Sequence, residues 1–160
     1  MTEKKPIKDG LHESFYKNGQ LKFRGNYKDG KRDNLWEWFY ENGQPKQRGN
    51  YKDGKRDGLR ETFYLKGNNN PLVLHGPINT RGNFKNGKRD GLWEGFDEEG
   101  NLTETKEYKD GIELSKTQFE YFENGQLWLR ENYKNGKLDG LSEEFGYFNG
   151  QLWLRENYKD

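Results

Sequence analysis

Apolar residues recur along this chain in segments of about ten residues, separated by glycine-containing dipeptides, and the pattern repeats about every 24 residues. The sequence RGNYKDGKRD is identical at Arg24–Asp33 and Arg48–Asp57, and the variant RGNFKNGKRD occupies Arg81–Asp90. A second block, NGQLWLRENYK, is identical at Asn124–Lys134 and Asn149–Lys159. A fixed period of this length is typical of a repeat protein, in which each copy forms the same small structural unit.

Turn signals recur at two positions of the repeat, and together they predict a β-hairpin. One is Asn-Gly and the other is Asp-Gly or Asn-Gly, and both dipeptides favour two-residue type I′ turns with positive φ at two successive residues. With such a turn at Asn18-Gly19, Glu13 lies directly opposite Arg24. The same spacing pairs Glu37 with Arg48. Cross-strand pairs of opposite charge stabilise a sheet by roughly 0.2–1 kcal/mol each.

The predicted fold is all-β: a single-layer antiparallel β-meander of about six tandem 24-residue hairpin repeats, forming an elongated ribbon in which each repeat contacts mainly its neighbours. Neither face of a repeat is wholly polar, so we expect a curved ribbon whose inner surface buries the recurring aromatic rings. The expected organisation is an N-terminal tail at 1–8 and a repeat domain at 9–160, divided at about 9–32, 33–56, 57–89 (with an insertion at 66–79), 90–114, 115–138 and 139–160.

Composition indicates an ordered protein with a thin core. Hydrophobic residues make up 29% of the chain, far below the roughly 45–50% of ordinary globular proteins. Charged residues make up 34%, which alone would favour disorder, but 10 Phe, 10 Tyr and 5 Trp supply the apolar surface that disordered chains lack. Without cysteine, disulfide and thiolate sites are excluded. The first residues lack the apolar stretch of a signal peptide, so the expected location is cytoplasmic.

Charge is distributed unevenly between the two halves of the chain. Residues 1–80 contain 16 Lys and Arg against 10 Asp and Glu, a net charge of +6. Residues 81–160 contain 12 against 17, a net charge of −5. In a linear stack of repeats the two net charges lie at opposite ends of the molecule. One interpretation is that the two ends steer different partners; the other is that the difference reflects drift among solvated side chains.

The residue pattern predicts no catalytic residues, no metal ligands and no cofactor. The two histidines, His12 and His75, are far apart in the sequence and stand in no motif, so they do not predict a metal site. The adjacent acids Glu98-Glu99 and Glu143-Glu144 do not form the facing carboxylate pair of a glycosidase, because neighbours on a strand point to opposite faces. The glycines belong to turn dipeptides or fixed repeat positions, and none forms a phosphate-binding loop.

Positions that differ between repeats are candidates for partner binding, since constant positions hold the scaffold. The tryptophans differ in this way, and Trp, Tyr and Arg are common anchors of protein interfaces. The alternative is that these rings add packing over the thin core. The apolar stretch in the insertion is expected at the tip of an exposed loop, where it contacts another element or a partner. The candidate partner-binding residues are Trp36, Trp38, Tyr40, Tyr64, Leu72, Leu74, His75, Trp93, Trp128 and Trp153.

The repeat resembles the MORN (membrane occupation and recognition nexus) repeat, specifically its bacterial variant. The unit GNYKDGKRDNLWEWFYENGQ at Gly25–Gln44 shows the pattern: an aromatic residue, then Asp/Asn-Gly-Lys, then Asp-Gly-Leu in most copies, and a later Glu and Phe or Tyr. The resemblance covers residues 9–160, with departures at the insertion and in the fifth repeat, where Thr117 and Phe119 replace Leu and Glu. In bacteria, chains that look like this are frequently the antitoxin or immunity member of a toxin pair. Eukaryotic MORN proteins are linked to membranes and scaffolding.

The leading hypothesis is therefore a non-enzymatic cytoplasmic antitoxin or immunity protein that binds and occludes a cognate protein toxin. Its acidic second half suits a toxin with a basic cleft. One alternative is a scaffold or adhesive protein that self-associates through edge strands. Another is a module that recognises lipid or glycan, although positive charge spread along a sheet is a weak membrane patch. No nucleic-acid partner is expected.

Overall fold

The computed structural model describes residues 7–66 and 76–159, which form twelve β-strands paired in chain order into one antiparallel sheet. At about 4.8 Å between neighbouring strands, the sheet is roughly 53 Å long. The predicted all-β, single-layer meander is confirmed. The strands are β1 (Gly10–Phe15), β2 (Leu21–Lys28), β3 (Lys31–Phe39), β4 (Pro45–Lys52), β5 (Lys55–Phe63), β6 (Ile78–Lys85), β7 (Lys88–Phe96), β8 (Leu102–Lys109), β9 (Ile112–Tyr121), β10 (Leu127–Lys134), β11 (Lys137–Phe145) and β12 (Leu152–Tyr158).

One long edge of the sheet consists of the tight turns that the sequence predicts. In Asp29-Gly30 both residues have positive φ, 51° and 69°, as a type I′ turn requires. Neighbouring turns are linked, since the amide of Gly54 donates a hydrogen bond to the carbonyl oxygen of Arg32 (2.9 Å). The other turns with positive φ at both residues are Asp53-Gly54, Asn86-Gly87, Asp110-Gly111 and Asn135-Gly136.

The opposite long edge consists of longer loops, and here the predicted turn type is wrong. At Asn18-Gly19 only the glycine has positive φ (83°). The loop runs from Tyr16 to Gln20 and is closed by a hydrogen bond from the Tyr16 amide to the Gln20 carbonyl oxygen (2.8 Å). The Asn18 side chain accepts a hydrogen bond from the Gln20 amide (3.0 Å), which favours this wider loop over a two-residue turn. A β-bulge beside the loop then restores the predicted register.

The predicted register is confirmed, but each arginine forms its ion pair with the following strand and not with the preceding one. Glu13 is directly opposite Arg24, as expected. The Arg24 side chain nevertheless turns to Glu37 on the following strand (Nε–Oε2 2.6 Å). In this direction it also covers the ring of Phe39, with 5.8 Å from the guanidinium carbon to the ring centroid, which adds a cation–π contact. We call the resulting series the Arg–Glu ladder; its pairs are Arg24–Glu37, Arg48–Glu61, Arg81–Glu94 and Arg130–Glu143.

The fifth repeat interrupts this ladder. Thr105 on β8 lies directly opposite Thr117 on β9, at the point where other repeats place Arg opposite Glu. β9 is also one residue longer than β3, β5, β7 and β11. The junction between the fourth and fifth repeats therefore lacks the ladder pair, and its ion pair is instead Lys116–Glu104 (3.7 Å).

The recurring rings divide between the two faces of the sheet, so the expectation of one inner surface is wrong. Successive residues of a strand point to opposite faces. The tryptophan face carries Trp36, with Tyr27 packed edge-on against it at 5.1 Å between ring centroids. The ladder face carries the Arg–Glu ladder together with Phe39 and Phe63.

The most buried side chains lie in the middle of the sheet. Trp36 is 0% exposed and Trp93 is 5% exposed, and Tyr51, Phe63 and Tyr108 are buried as well. All five belong to β3–β8. By contrast, every residue of β12 is exposed. The core is therefore concentrated in the second, third and fourth repeats.

Candidate protein-binding surface

Two of the predicted anchors, Trp36 and Trp93, are structural rather than exposed. Trp36 lies flat over Gly25 of the neighbouring strand, and its indole N–H donates to the carbonyl oxygen of Asn26 (3.0 Å). Trp93 repeats the arrangement over Gly82. A buried ring whose polar atom is already satisfied offers little surface to a partner, so the contacts of these two residues favour the packing alternative.

Trp38 belongs to the same packed layer and is half-buried. Its ring lies 5.9 Å from that of Trp36 and 6.3 Å from that of Tyr51. The guanidinium of Arg32 covers it at 5.4 Å. These contacts support the packing alternative for Trp38, with its remaining exposed surface beside a cationic group.

Tyr40 and Tyr64 join successive repeats. The Tyr40 hydroxyl donates to the carbonyl oxygen of Phe63, and the Tyr64 hydroxyl donates to that of Phe96, both at 2.8 Å. Tyr16 does the same toward Phe39. Partial burial raises the pKa of Tyr40, consistent with a phenol kept neutral as a donor. The hydroxyls of both predicted anchors are therefore engaged within the sheet.

The remaining tryptophans, Trp128 and Trp153, lie at the C-terminal end of the sheet, where side chains are more open. Trp153 is 78% exposed. Trp128 is half-buried, and its indole N–H donates to the carboxylate of Glu120 (3.2 Å). Of the tryptophans predicted as anchors, Trp153 has the exposure that the prediction requires.

Trp153 is part of a larger aromatic surface. Phe122 packs against Trp128 (6.1 Å between centroids) and against Tyr147 (5.0 Å). Tyr147 in turn packs against Phe148 (5.1 Å), which is 92% exposed. Tyr147, Phe148 and Trp153 line one depression at the loop edge of the sheet. We call Phe122, Trp128, Tyr147, Phe148 and Trp153 the C-terminal aromatic cluster.

Sequence reasoning did not select Tyr147 and Phe148, although a signal was present. The loop of the sixth repeat is one residue longer than those of the first, second, fourth and fifth repeats, since Gly146 and Tyr147 stand where the fifth repeat has Phe122 alone. Phe148 occupies the position before Asn-Gly that holds Lys17, Glu41 or Glu123 in other repeats. A phenylalanine at a loop position that is charged in other repeats places an apolar ring in contact with water, which is typical of an interaction surface.

The charges on the tryptophan face change sign along the sheet. On β3, β5 and β7, Arg32, Arg56 and Arg89 lie over aromatic rings. Arg60 lies near these arginines, and burial together with the charges of Arg56 and Arg89 lowers the pKa of Arg60. In the last two repeats the corresponding face carries glutamates, among them Glu131, whose hydrogen bond from Tyr133 (2.6 Å) raises the pKa of that tyrosine to about 12. The aromatic cluster therefore lies at the acidic end of the molecule.

The structure brings together no reactive group around the histidines or acid pairs singled out in the sequence, within residues 7–66 and 76–159. His12 packs against the ring of Tyr27 (4.8 Å between centroids). Glu143 and Glu144 face Arg130 and Leu129 across the strand pair, and so point to opposite faces. In the same described ranges, no three His, Asp or Glu side chains are placed to hold a metal ion. The predicted anchors Leu72, Leu74 and His75 lie outside the described residues.

These features define the class of protein: an all-β tandem-repeat protein with a packed central sheet and an exposed aromatic surface at one end. The chain belongs to the MORN repeat variant family, whose model matches residues 8–29, 32–53, 89–110 and 115–135, more than half of the sequence. The matched segments coincide with the hairpins β1–β2, β3–β4, β7–β8 and β9–β10. No curated protein shows significant similarity to the chain. In the described part of the chain, no helix has the length and apolar character needed to span a membrane.

Proposed function

We propose that this chain is a non-enzymatic protein-binding repeat protein, and that it neutralises a cognate protein toxin by covering the toxin's functional surface. The observation that carries the proposal is the C-terminal aromatic cluster, in which Phe148 is 92% and Trp153 is 78% exposed. Large rings held at a loop edge and open to water are typical anchors of a protein interface.

The surroundings of the cluster favour a basic partner. Glu120 and Glu123 lie beside it in the fifth repeat, and the second half of the chain carries a net charge of −5. Complementary charge accelerates association and selects against partners of like charge. Toxins that act on nucleic acids need a basic cleft to hold a phosphate backbone, so an acidic surface with aromatic anchors is suited to covering such a cleft.

The packing of the cluster supports binding by occlusion. Tyrosine hydroxyls tie the first four repeats together, and in the last two repeats Phe122 contacts Trp128 and Tyr147, so the rings are already assembled on the sheet. A preformed surface loses little conformational freedom on binding, which favours tight association. Occlusion requires no reacting group from this chain, in keeping with the repeat family to which it belongs.

The test is affinity capture from the host lysate with the wild-type protein and with Phe148→Ala/Trp153→Ala, followed by binding measurements with the purified partner. The control is Leu92→Ala, which shortens a 51% exposed apolar side chain on β7, away from both outer strands. Each variant is first compared with wild type by circular dichroism and thermal unfolding.

The proposal is supported by a captured protein that arrests growth when expressed alone, is neutralised by co-expressed wild type and Leu92→Ala, and is bound at least about tenfold more weakly by the double variant. Two outcomes contradict it: a partner whose expression does not harm the cell, or a partner bound equally well by the double variant.

A further inference from the structure

We propose that copies of this chain associate head to tail, with β12 of one copy pairing antiparallel to β1 of the next and continuing the sheet. The two strands are the outer strands of the described sheet, and each pairs with one neighbour, β11 and β2 respectively. An open edge presents unpaired amides and carbonyls to any strand of matching shape and charge. Three independent features indicate that these two edges match each other.

The first feature is the Arg–Glu ladder. Within the chain, each ladder arginine reaches forward from an even-numbered strand to a glutamate on the next odd-numbered strand. Arg155 on β12 has no following strand among the described residues, and it turns back to Glu143 (Nε–Oε1 2.9 Å), which Arg130 already holds. Glu13 on β1 forms no ion pair with any described residue. The ladder register places Arg155 of one copy directly opposite Glu13 of the next.

The second feature is the backbone of β1. Where β3 pairs with β2, a bulge follows the pair Asn26–Asp33 and holds Asn34 at positive φ (58°). Gly58, Gly91 and Gly140 take the same conformation against their preceding strands. Gly10 in β1 also has positive φ (109°), although no described strand precedes it. The positive φ that accompanies this bulge in the other odd-numbered strands is thus already present in β1.

The third feature is the pattern of exposed side chains. Phe15 is 56% exposed, whereas its counterpart Phe63 is 3% exposed beneath Arg48. In the proposed register, Arg155 of the neighbouring copy covers Phe15 in the way that Arg48 covers Phe63. Pairing therefore buries an apolar ring at the same time as it completes the ladder.

Long-range charge favours the same arrangement. The half of the chain that contains β12 has a net charge of −5, and the half that contains β1 has a net charge of +6. Head-to-tail contact brings these halves together, so the association is stronger at low salt. Because the contact joins two different surfaces, it generates an open filament, or a ring if the rotation between copies closes.

The test is sedimentation velocity over a range of protein concentrations at low and high salt. We expect wild type to form larger species as concentration rises, with weaker association at high salt. Glu13→Arg places a second guanidinium opposite that of Arg155 and is expected to weaken association at least about tenfold. Glu99→Arg makes the same change of charge in a loop away from both edges and is expected to behave as wild type.

A charge exchange separates this interface from general electrostatic attraction. Arg155→Glu alone is expected to lose association. A mixture of Glu13→Arg and Arg155→Glu chains is expected to recover it, because every junction between the two variants places opposite charges at positions 13 and 155. The double variant Glu13→Arg/Arg155→Glu is expected to recover it as well. Since Arg155 also contacts Glu143, folding of each variant is checked by thermal unfolding, and Glu13→Arg carries the test if Arg155→Glu is unstable.

The inference is overturned if wild type stays monomeric at high concentration and low salt, if Glu13→Arg associates as wild type does, or if the folded double variant fails to recover. The proposed junction and the proposed toxin-binding surface share β12, since the register that sets Arg155 opposite Glu13 brings Trp153 next to Phe15 of the neighbouring copy. Glu13→Arg leaves every residue of the C-terminal aromatic cluster unchanged, so a Glu13→Arg chain that no longer self-associates but still captures its partner separates the two proposals.

Discussion

The pairing of the smallest residue with the largest explains how Trp36 and Trp93 fit into the sheet. A Cβ atom on Gly25 would lie 2.2 Å from the Trp36 ring, and one on Gly82 would lie 2.3 Å from the Trp93 ring. In the last repeats Glu131 stands at the glycine position, and its cross-strand neighbour is Ser142. Ring size on one strand is therefore matched to side-chain size on the next.

Gly25→Ala is expected to destabilise the protein by about 1–3 kcal/mol, because the new methyl group must displace the buried Trp36 ring. The matched control is Gly49→Ala at the same repeat position, where the nearest atoms are 3.6 Å away and include the flexible Arg60 side chain. This control is expected to change the free energy of unfolding by less than about 0.5 kcal/mol. Urea unfolding of both variants checks the prediction, which fails if the two variants lose equal stability.

Glu143 is expected to make stability depend on pH in the acid range. Burial acts to raise the pKa of Glu143, but hydrogen bonds and charges from Arg130 and Arg155 outweigh burial and hold it below the ordinary 4.5. Because the folded-state pKa is lowered, the stabilisation is fully present above the unfolded-state pKa and is lost as the pH falls through the folded-state value.

Glu143→Gln is therefore expected to cost about 1–3 kcal/mol at neutral pH and progressively less as the pH falls below about 4. Urea unfolding of wild type and variant between neutral and acid pH measures the difference. A stability gap that stays constant over this range would show that Glu143 does not act through its charge.

At the scale of the element, tight turns and register could be predicted from the sequence because they follow from local rules. Asp-Gly and Asn-Gly at the five tight turns favour positive φ at two residues, and alternation then fixes which residues oppose each other. The loop at Asn18-Gly19 escaped prediction because the asparagine side chain bonds the backbone and stabilises a wider loop. The direction of the Arg–Glu ladder could not be predicted from the sequence. Arg24, Arg48 and Arg81 each lie between two glutamates, and the position of the neighbouring phenylalanine ring favours the glutamate on the following strand.

The interruption of the ladder at Thr105 and Thr117 is expected to be repairable. Thr105→Arg/Thr117→Glu restores the cross-strand pair that the other junctions use and is expected to add roughly 0.2–1 kcal/mol to the free energy of unfolding. The two single variants complete a double-mutant cycle, which isolates the pair from the effect of each substitution. A coupling energy of zero would show that the fifth repeat does not hold the two side chains in ladder geometry.

At the scale of the molecule, the candidate site was only partly accessible to sequence reasoning. Exposure of Trp153 was predicted, whereas burial of Trp36 and Trp93 depends on glycines one strand away that the variation of tryptophan alone does not reveal. Phe148 was missed because a single aromatic residue in a polar loop looks unremarkable until its neighbours Tyr147 and Phe122 are placed around it.

Stability is expected to be graded along the sheet. The buried aromatic residues belong to β3–β8, the ladder is interrupted between β8 and β9, and β12 is exposed throughout. Backbone amides of β9–β12 are therefore expected to exchange with solvent at least about tenfold faster than those of β3–β8. Hydrogen exchange with peptide-level mass spectrometry checks this, and uniform protection along the chain would contradict it.

The pairing of strands in strict chain order has a consequence for how the protein is made. Every strand contacts the strand synthesised just before it, so no segment has to wait for a distant part of the chain before it can fold. The structure can therefore grow from its N-terminus during translation, one hairpin at a time, with each finished hairpin acting as the template for the next. On this route the central aromatic layer is already closed when the C-terminal cluster leaves the ribosome.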